Sequence, residues 1–220
     1  SEAIVEGMVP KGGLFLPERI PTIDFSFLAK ANYHDVAYHV LAPYFCEGEG
    51  AYTEAELKSS LQEAYNSTTF DTEEIAPVKV LSNRVGILEL WHGPTAAFKD
   101  MALQILPHWL VLSKKKLGKH TTTVILVATS GDTGKAALEG FKNIPGTEIY
   151  VFFPDEGVSL VQKLQMLTTE GLNTHVVAVE GNFDDCQGMV KAIFANSEFR
   201  AKITSRRYEL SSANSINFKE

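Results

Sequence analysis

Lys99 stands where a lysine can act as a nucleophile. The apolar run Ile87-Leu88-Glu89-Leu90-Trp91 leads into His92 and a Gly93-Pro94 turn, and Thr95 is placed to cap a helix whose first turn carries Lys99 and Asp100. A helix start offers free backbone N–H groups and the positive end of the dipole, which push an amine toward its neutral form, the more so when it is buried. A neutral lysine at a dry strand-to-helix junction meets the requirement for a Schiff base. The same residue in the first turn of an ordinary amphipathic helix would be a solvated charge, so its neighbours decide between the two. Asp100 reads as a negative charge stabilising the helix start rather than as a catalytic acid.

A second candidate is Ala128-Thr129-Ser130-Gly131-Asp132-Thr133-Gly134, which follows the continuous apolar run Val124 to Ala128. A glycine-rich turn beyond the carboxyl end of a strand lets backbone N–H groups approach an anion. Gly134-Lys135 matches the end of a nucleotide P-loop. That alternative fails because Thr129 takes the place of the leading Gly, and Ala136 replaces the Ser or Thr that would hold magnesium. The GxGxxG spacing of a dinucleotide fingerprint is also missing. Ser211, Ser212, Asn214, Ser215 and Asn217 make a third polar cluster, suited to a phosphate or to a self-satisfied turn.

The elements that must position these residues follow from hydrophobic spacing. Phe25 to Phe45 has helical periodicity that Pro43 is expected to end, and Thr53 with Glu56 forms a capping box before Leu57, Leu61 and Tyr65. Pro77 to Trp91 reads as two extended runs joined at Ser82-Asn83-Arg84. Met101, Ile105, Trp109 and Leu112 continue the lysine helix, with Pro107 expected to kink or interrupt it. Val124 to Ala128, Ile149 to Phe153, Val176 to Val179 and Tyr208 to Leu210 read as strands. Between them lie a helix through Ala136, Ala137 and Phe141, one capped by Ser159 and Gln162, striped by Leu160, Leu164 and Leu167 and stopped by Gly171, and one capped by Asn182. That last helix turns Phe183, Cys186, Val190, Ile193 and Phe194 inward. Strand and helix in alternation imply an α/β fold with a parallel four-stranded sheet and right-handed crossovers. The expected division is an N-terminal, mainly helical region over 1–85, a lysine-helix segment over 86–120 and an α/β unit over 121–220.

The chain has 220 residues, 45% hydrophobic and 21% charged, an ordinary globular composition. Its net charge of -7 gives no global field favouring nucleic acid or an anionic membrane. Lys114-Lys115-Lys116 with Lys119 reads as a solvated helix end. Two cysteines in unrelated contexts argue against disulfides or structural zinc, so no metal site is expected and a reducing cytoplasm is the default. No run reaches membrane-spanning length and no signal-peptide layout is present. Without an initiator Met the start is expected to be processed or cut.

Gly93-Pro94-Thr95-Ala96-Ala97-Phe98-Lys99-Asp100 resembles the lysine motif of threonine synthases, pyridoxal-phosphate enzymes of fold type II, and Ala128 to Gly134 resembles the family's other landmark. Gly12-Gly13-Leu14-Phe15-Leu16-Pro17 and Ser211 to Asn217 match near the two ends, so the resemblance covers almost the whole chain. It implies that Lys99 carries pyridoxal 5'-phosphate as a Schiff base and then moves protons at Cα and Cβ of O-phosphohomoserine. Phosphate leaves from Cγ, water adds at Cβ, and threonine is released. Ser130, Gly131, Asp132, Thr133 and Gly134 would face the cofactor; Thr95, Ser130, Thr133, Ser212, Asn214, Ser215 and Asn217 would face the substrate. Because an ionised Asp132 would repel the cofactor's phenolate oxygen, it is expected to cap the helix or meet a cation, leaving Ser130, Thr133 and backbone N–H groups for the substrate carboxylate.

Family members continue for about as many residues again, and that half supplies the loop for the cofactor phosphate and the partner of the pyridine nitrogen. The chain is therefore expected to be an amino-terminal portion that neither holds the cofactor tightly nor turns over alone. A phospholyase or dehydratase giving a keto acid, and a non-catalytic ligand-binding homologue, are the alternatives.

Overall fold

Side-chain caps found the first helices. In the computed structural model, which describes residues 1–6 and 15–212, α1 (Glu2–Glu6) is followed by α2 (Tyr33–Phe45) and α3 (Glu54–Ala64). Asn32 with Asp35 and Thr53 with Glu56 form complete capping boxes, the second of them the one expected. Pro43 does not end α2 but lies inside its last turn. There it removes only one backbone bond, and Phe45 beyond it packs on Trp109 and Tyr52, with ring centroids 4.4 and 5.3 Å apart.

Two strands, β1 (Val78–Ser82) and β2 (Val85–Leu88), pair antiparallel about the expected turn. Val78, Val80, Leu81, Val85, Ile87 and Leu88 are all exposed, so neither face of this hairpin is covered by the described residues. The lysine helix is interrupted as Pro107 suggested: α4 (Asp100–Leu103) breaks before α5 (Leu106–Lys116), and Pro107 fits in the first turn of α5.

The parallel sheet runs in the order β5 (Thr174–Val179), β4 (Thr147–Pro154), β3 (Thr122–Ala128), β6 (Tyr208–Ser211). Chain progression goes outward from β3 to β5, then returns to the other side of β3. The order therefore reverses at β3, and ligands in open α/β sheets bind beyond the carboxyl ends of strands at such a reversal. The connecting helices are α6 (Asp132–Phe141), α7 (Leu160–Leu167), α8 (Phe183–Ala195) and α9 (Ser197–Thr204). Trp109, Phe70, Phe141 and Phe153 are the largest fully buried side chains, in a core that joins α3, α5, α6, β3 and β4.

Several local expectations are corrected. The helix α7 ends at Leu167, before Gly171. Its Leu160, Leu164 and Leu167 are exposed, Leu160 by 71%, and Met166 supplies the buried contact instead. Helix α9 has no clear signal in the sequence: Asn196 closes α8 and then caps α9 by accepting from the Phe199 N–H, with no Gly or Pro to mark the break. Within the lysine run Lys114 is buried rather than solvated, donating to Thr123 Oγ1 at 2.6 Å and pairing with Glu209 at 3.2 Å. Among the described residues no helix is long and apolar enough to cross a membrane, and no side-chain cluster fits a metal ion.

Candidate active site

The turn after β3 is knitted by a buried hydroxyl. Thr129 Oγ1 accepts from the N–H groups of Gly131 at 3.0 Å and Gly134 at 2.9 Å. Those two donors are thereby turned inward, away from any ligand. Gly131 adopts φ +154°, ψ -100°, outside the reach of L side chains, and a Cβ at Gly134 would lie 2.5 Å from Thr129 Cγ2 and 2.8 Å from Met166 Sδ. Ser130 is exposed at the tip, while Asp132 and Thr133 are half-buried at the start of α6. Lys135 turns aside to Glu139 and Thr169, at 2.8 and 2.9 Å, so it takes no part in a phosphate cradle.

The lysine loop is built on Asp100. Its fully buried carboxylate accepts from the Thr95 N–H at 2.8 Å and Thr95 Oγ1 at 2.6 Å. Thr95 therefore does not cap the helix as expected; Lys99 occupies the cap position without a side-chain bond, and Asp100 reaches back to order the turn before it. The wrap is tight, since a Cβ at Gly93 would sit 2.6 Å from Asp100 Cβ, and Ala96 takes φ +57°. Burial pushes the Asp100 carboxyl above its usual range, with the Thr95 bonds pulling the other way. At the loop's entrance His92 is held between Asp71, 2.5 Å from Nδ1, and Glu89, 2.9 Å from Nε2. Hydrogen bonds to Glu89 and then Asp71 raise the imidazole's proton affinity above its ordinary value.

The two loops meet. Lys99 Nζ lies 3.8 Å from Asp132 Oδ2 and 4.5 Å from the centroid of the Phe98 ring. The cation that Asp132 meets is thus Lys99 itself. With the Lys99 side chain 28% and Asp132 47% exposed, this pair contributes little to stability. Its consequence is geometric: the part-exposed amine lies beside the turn that follows β3.

Of the other sequence-derived candidates, Ser211 ends β6 beside β3, opposite Ile125, and Ser212 follows it. Asn214, Ser215 and Asn217 lie outside the described residues, as do Gly12, Gly13 and Leu14. Gln162 is a site neighbour that the sequence reading used only as a cap: its amide lies against Gly131. Spacing from Ser159 reveals the cap, but nothing in that spacing points to a glycine 31 positions earlier.

The chain is similar to known proteins over nearly its whole length. Residues 1–65 match the family model described as threonine synthase N terminus. A threonine synthase of Pseudomonas aeruginosa is 40% identical over 99% of this chain. The crystal structure of pyridoxal-phosphate-bound threonine synthase from Brucella melitensis superposes with a TM-score of 0.84 at 36% identity, again over 99% of this chain. Over nearly its whole length the chain is similar to threonine synthases. It spans 44% of the Pseudomonas sequence and 45% of the Brucella chain, and so corresponds to the amino-terminal portion of those enzymes. A human threonine synthase-like 1 protein is also 39% identical, with 30% of its length covered. The α/β architecture with its four-stranded parallel sheet is that of the threonine synthase structures.

Proposed function

We propose that this chain is the lysine-bearing portion of a threonine synthase, which converts O-phosphohomoserine and water to threonine and phosphate with pyridoxal 5'-phosphate. The observation that carries the proposal is the approach of Lys99 Nζ to Asp132 at the strand-order reversal beyond β3. A part-exposed primary amine, beside a glycine turn with an exposed hydroxyl, fits a carbonyl cofactor and a carboxylate-bearing substrate.

In this reading Lys99 holds the cofactor covalently through its amine and, once released by the substrate, moves protons at Cα and Cβ. The cofactor's ring supplies a sink for the negative charge that develops there. Asp132 keeps the free ammonium in place between transfers. Ser130 and Thr133 receive the substrate carboxylate, with Gly131 and Gly134 allowing the close turn that presents them. Thr95 contributes only the lone pairs of its hydroxyl, because its proton goes to Asp100. Ser212, with Asn214, Ser215 and Asn217, is assigned to the phosphate end of the substrate.

The division into 1–85, 86–120 and 121–220 belongs to the same proposal, as does a cytoplasmic setting with no nucleic-acid or membrane partner. The remaining portion of a full-length enzyme is the partner that would cover the exposed hairpin β1–β2. The test is direct. Full-length protein should show visible absorption that borohydride fixes to Lys99, and should release threonine rather than a keto acid from O-phosphohomoserine. Lys99→Ala should lose both; retention of either refutes the assignment of Lys99, and a keto-acid product refutes the synthase reading.

A further inference from the structure

Gln162 reaches the Gly131 turn from a different helix. A Cβ at Gly131 would lie 2.5 Å from Gln162 Nε2 and 2.6 Å from both Cδ and Oε1, so the amide lies flat over the space left by the missing side chain. Ser159 engages the oxygen end of that amide. Its Oγ accepts from the Gln162 N–H at 3.3 Å and donates to Oε1 at 3.1 Å. The oxygen is thus engaged by the helix cap, and the NH2 group, which has no partner among the described residues, is left as the outward donor.

The turn itself is short of donors, since the Gly131 and Gly134 N–H groups are spent on Thr129 and the Thr133 N–H faces Asp132 Oδ1 at 3.0 Å. A carboxylate bound there has the Ser130 and Thr133 hydroxyls but few backbone donors, and a further neutral donor strengthens its binding in the presence of the Asp132 charge. A neutral amide donor adds a bond without adding a cation that would compete with Lys99 for Asp132.

We propose that Gln162 Nε2 donates to the substrate carboxylate at the Ser130–Thr133 turn, making α7 a contributor to substrate specificity. This rests on the reading of that turn as the carboxylate site. The donor acts on binding rather than on proton transfer, so it changes KM more than kcat.

The test uses full-length protein with O-phosphohomoserine. Gln162→Met removes the donor at nearly constant volume, and Gln162→Glu keeps the shape but places a negative charge against the carboxylate. A lost hydrogen bond to a charged group raises KM about tenfold or more in Gln162→Met. Gln162→Glu should raise it further, while the cofactor absorption and thermal midpoint stay at wild-type values. Ser159→Ala, which frees the amide without removing it, should shift KM in the same direction by a smaller factor. A purely packing role predicts equal effects of Met and Glu that track the thermal midpoint, and that result overturns the proposal. So does a KM for Gln162→Glu within twofold of wild type. If wild-type protein carries no borohydride-fixable absorption at Lys99, the proposed function fails and this contact falls with it; if wild type is active and only the Gln162 series is flat, the contact alone is refuted.

Discussion

The Asp100–Thr95 contact can be tested by a double substitution whose sign is set by the number of acceptors. Asp100 offers two carboxylate oxygens to two Thr95 donors, the backbone N–H at 2.8 Å and Oγ1 at 2.6 Å, in a fully buried setting. Asp100→Asn preserves volume but leaves one acceptor and turns an NH2 toward the second donor. One buried donor then goes unanswered, at a cost of about 1–3 kcal/mol. Thr95→Val removes the hydroxyl at nearly constant shape and costs a similar amount, because one carboxylate oxygen loses its partner. In the Thr95→Val background only the backbone N–H remains of the two Thr95 donors, and the single amide oxygen introduced by Asp100→Asn can rotate to meet it. The second substitution should therefore cost about 1 kcal/mol less than it does alone. Urea midpoints of the four full-length proteins at one pH, converted with a common slope, give the coupling. Additivity within about 0.5 kcal/mol would refute the wrap of the lysine loop around Asp100.

The sheet was legible because its strands are continuous apolar runs, Val124 to Ala128 and Ile149 to Phe153, and burial on both faces leaves that pattern in sequence. The Thr53–Glu56 capping box was legible because its partners lie three residues apart. What escaped is non-local or depends on what covers a surface. Asp100 looks like a helix-start charge in the sequence, since spacing cannot show that a carboxylate turns back on Thr95. Leu160, Leu164 and Leu167 form a stripe at helical spacing, yet the described residues leave it exposed, as they do both faces of β1–β2. Periodicity marks a face that is to be covered without saying by which segment. At the site, the strand-end glycine turn could be read locally, whereas the Lys99–Asp132 approach joins positions 33 apart and came only with the fold.

Two further outcomes follow from the loop's supports. His92 binds its proton more tightly in the folded protein, facing Asp71 and Glu89, so its stabilising contribution is complete below the ordinary histidine value of 6.5 and is lost as pH rises through the higher folded value. The thermal-midpoint difference between wild type and His92→Phe should shrink across that window, and a difference constant from pH 5 to 9, a range chosen around the ordinary histidine value, would remove His92 as a charged clasp. Gly140→Ala probes how the lysine segment is seated on α6. By helix propensity alone, Ala in the last turn of α6 should stabilise by up to about 1 kcal/mol. A methyl at Gly140, however, would collide with the Leu103 carbonyl oxygen, a backbone atom that cannot swing aside as a side chain can. The collision has to push α4 off α6, at a cost of about 1–3 kcal/mol, and α4 begins immediately after Lys99. Destabilisation with impaired borohydride fixation at Lys99 is expected from full-length protein. A stabilised variant with normal fixation would mean that the position of Lys99 does not depend on the α4–α6 contact.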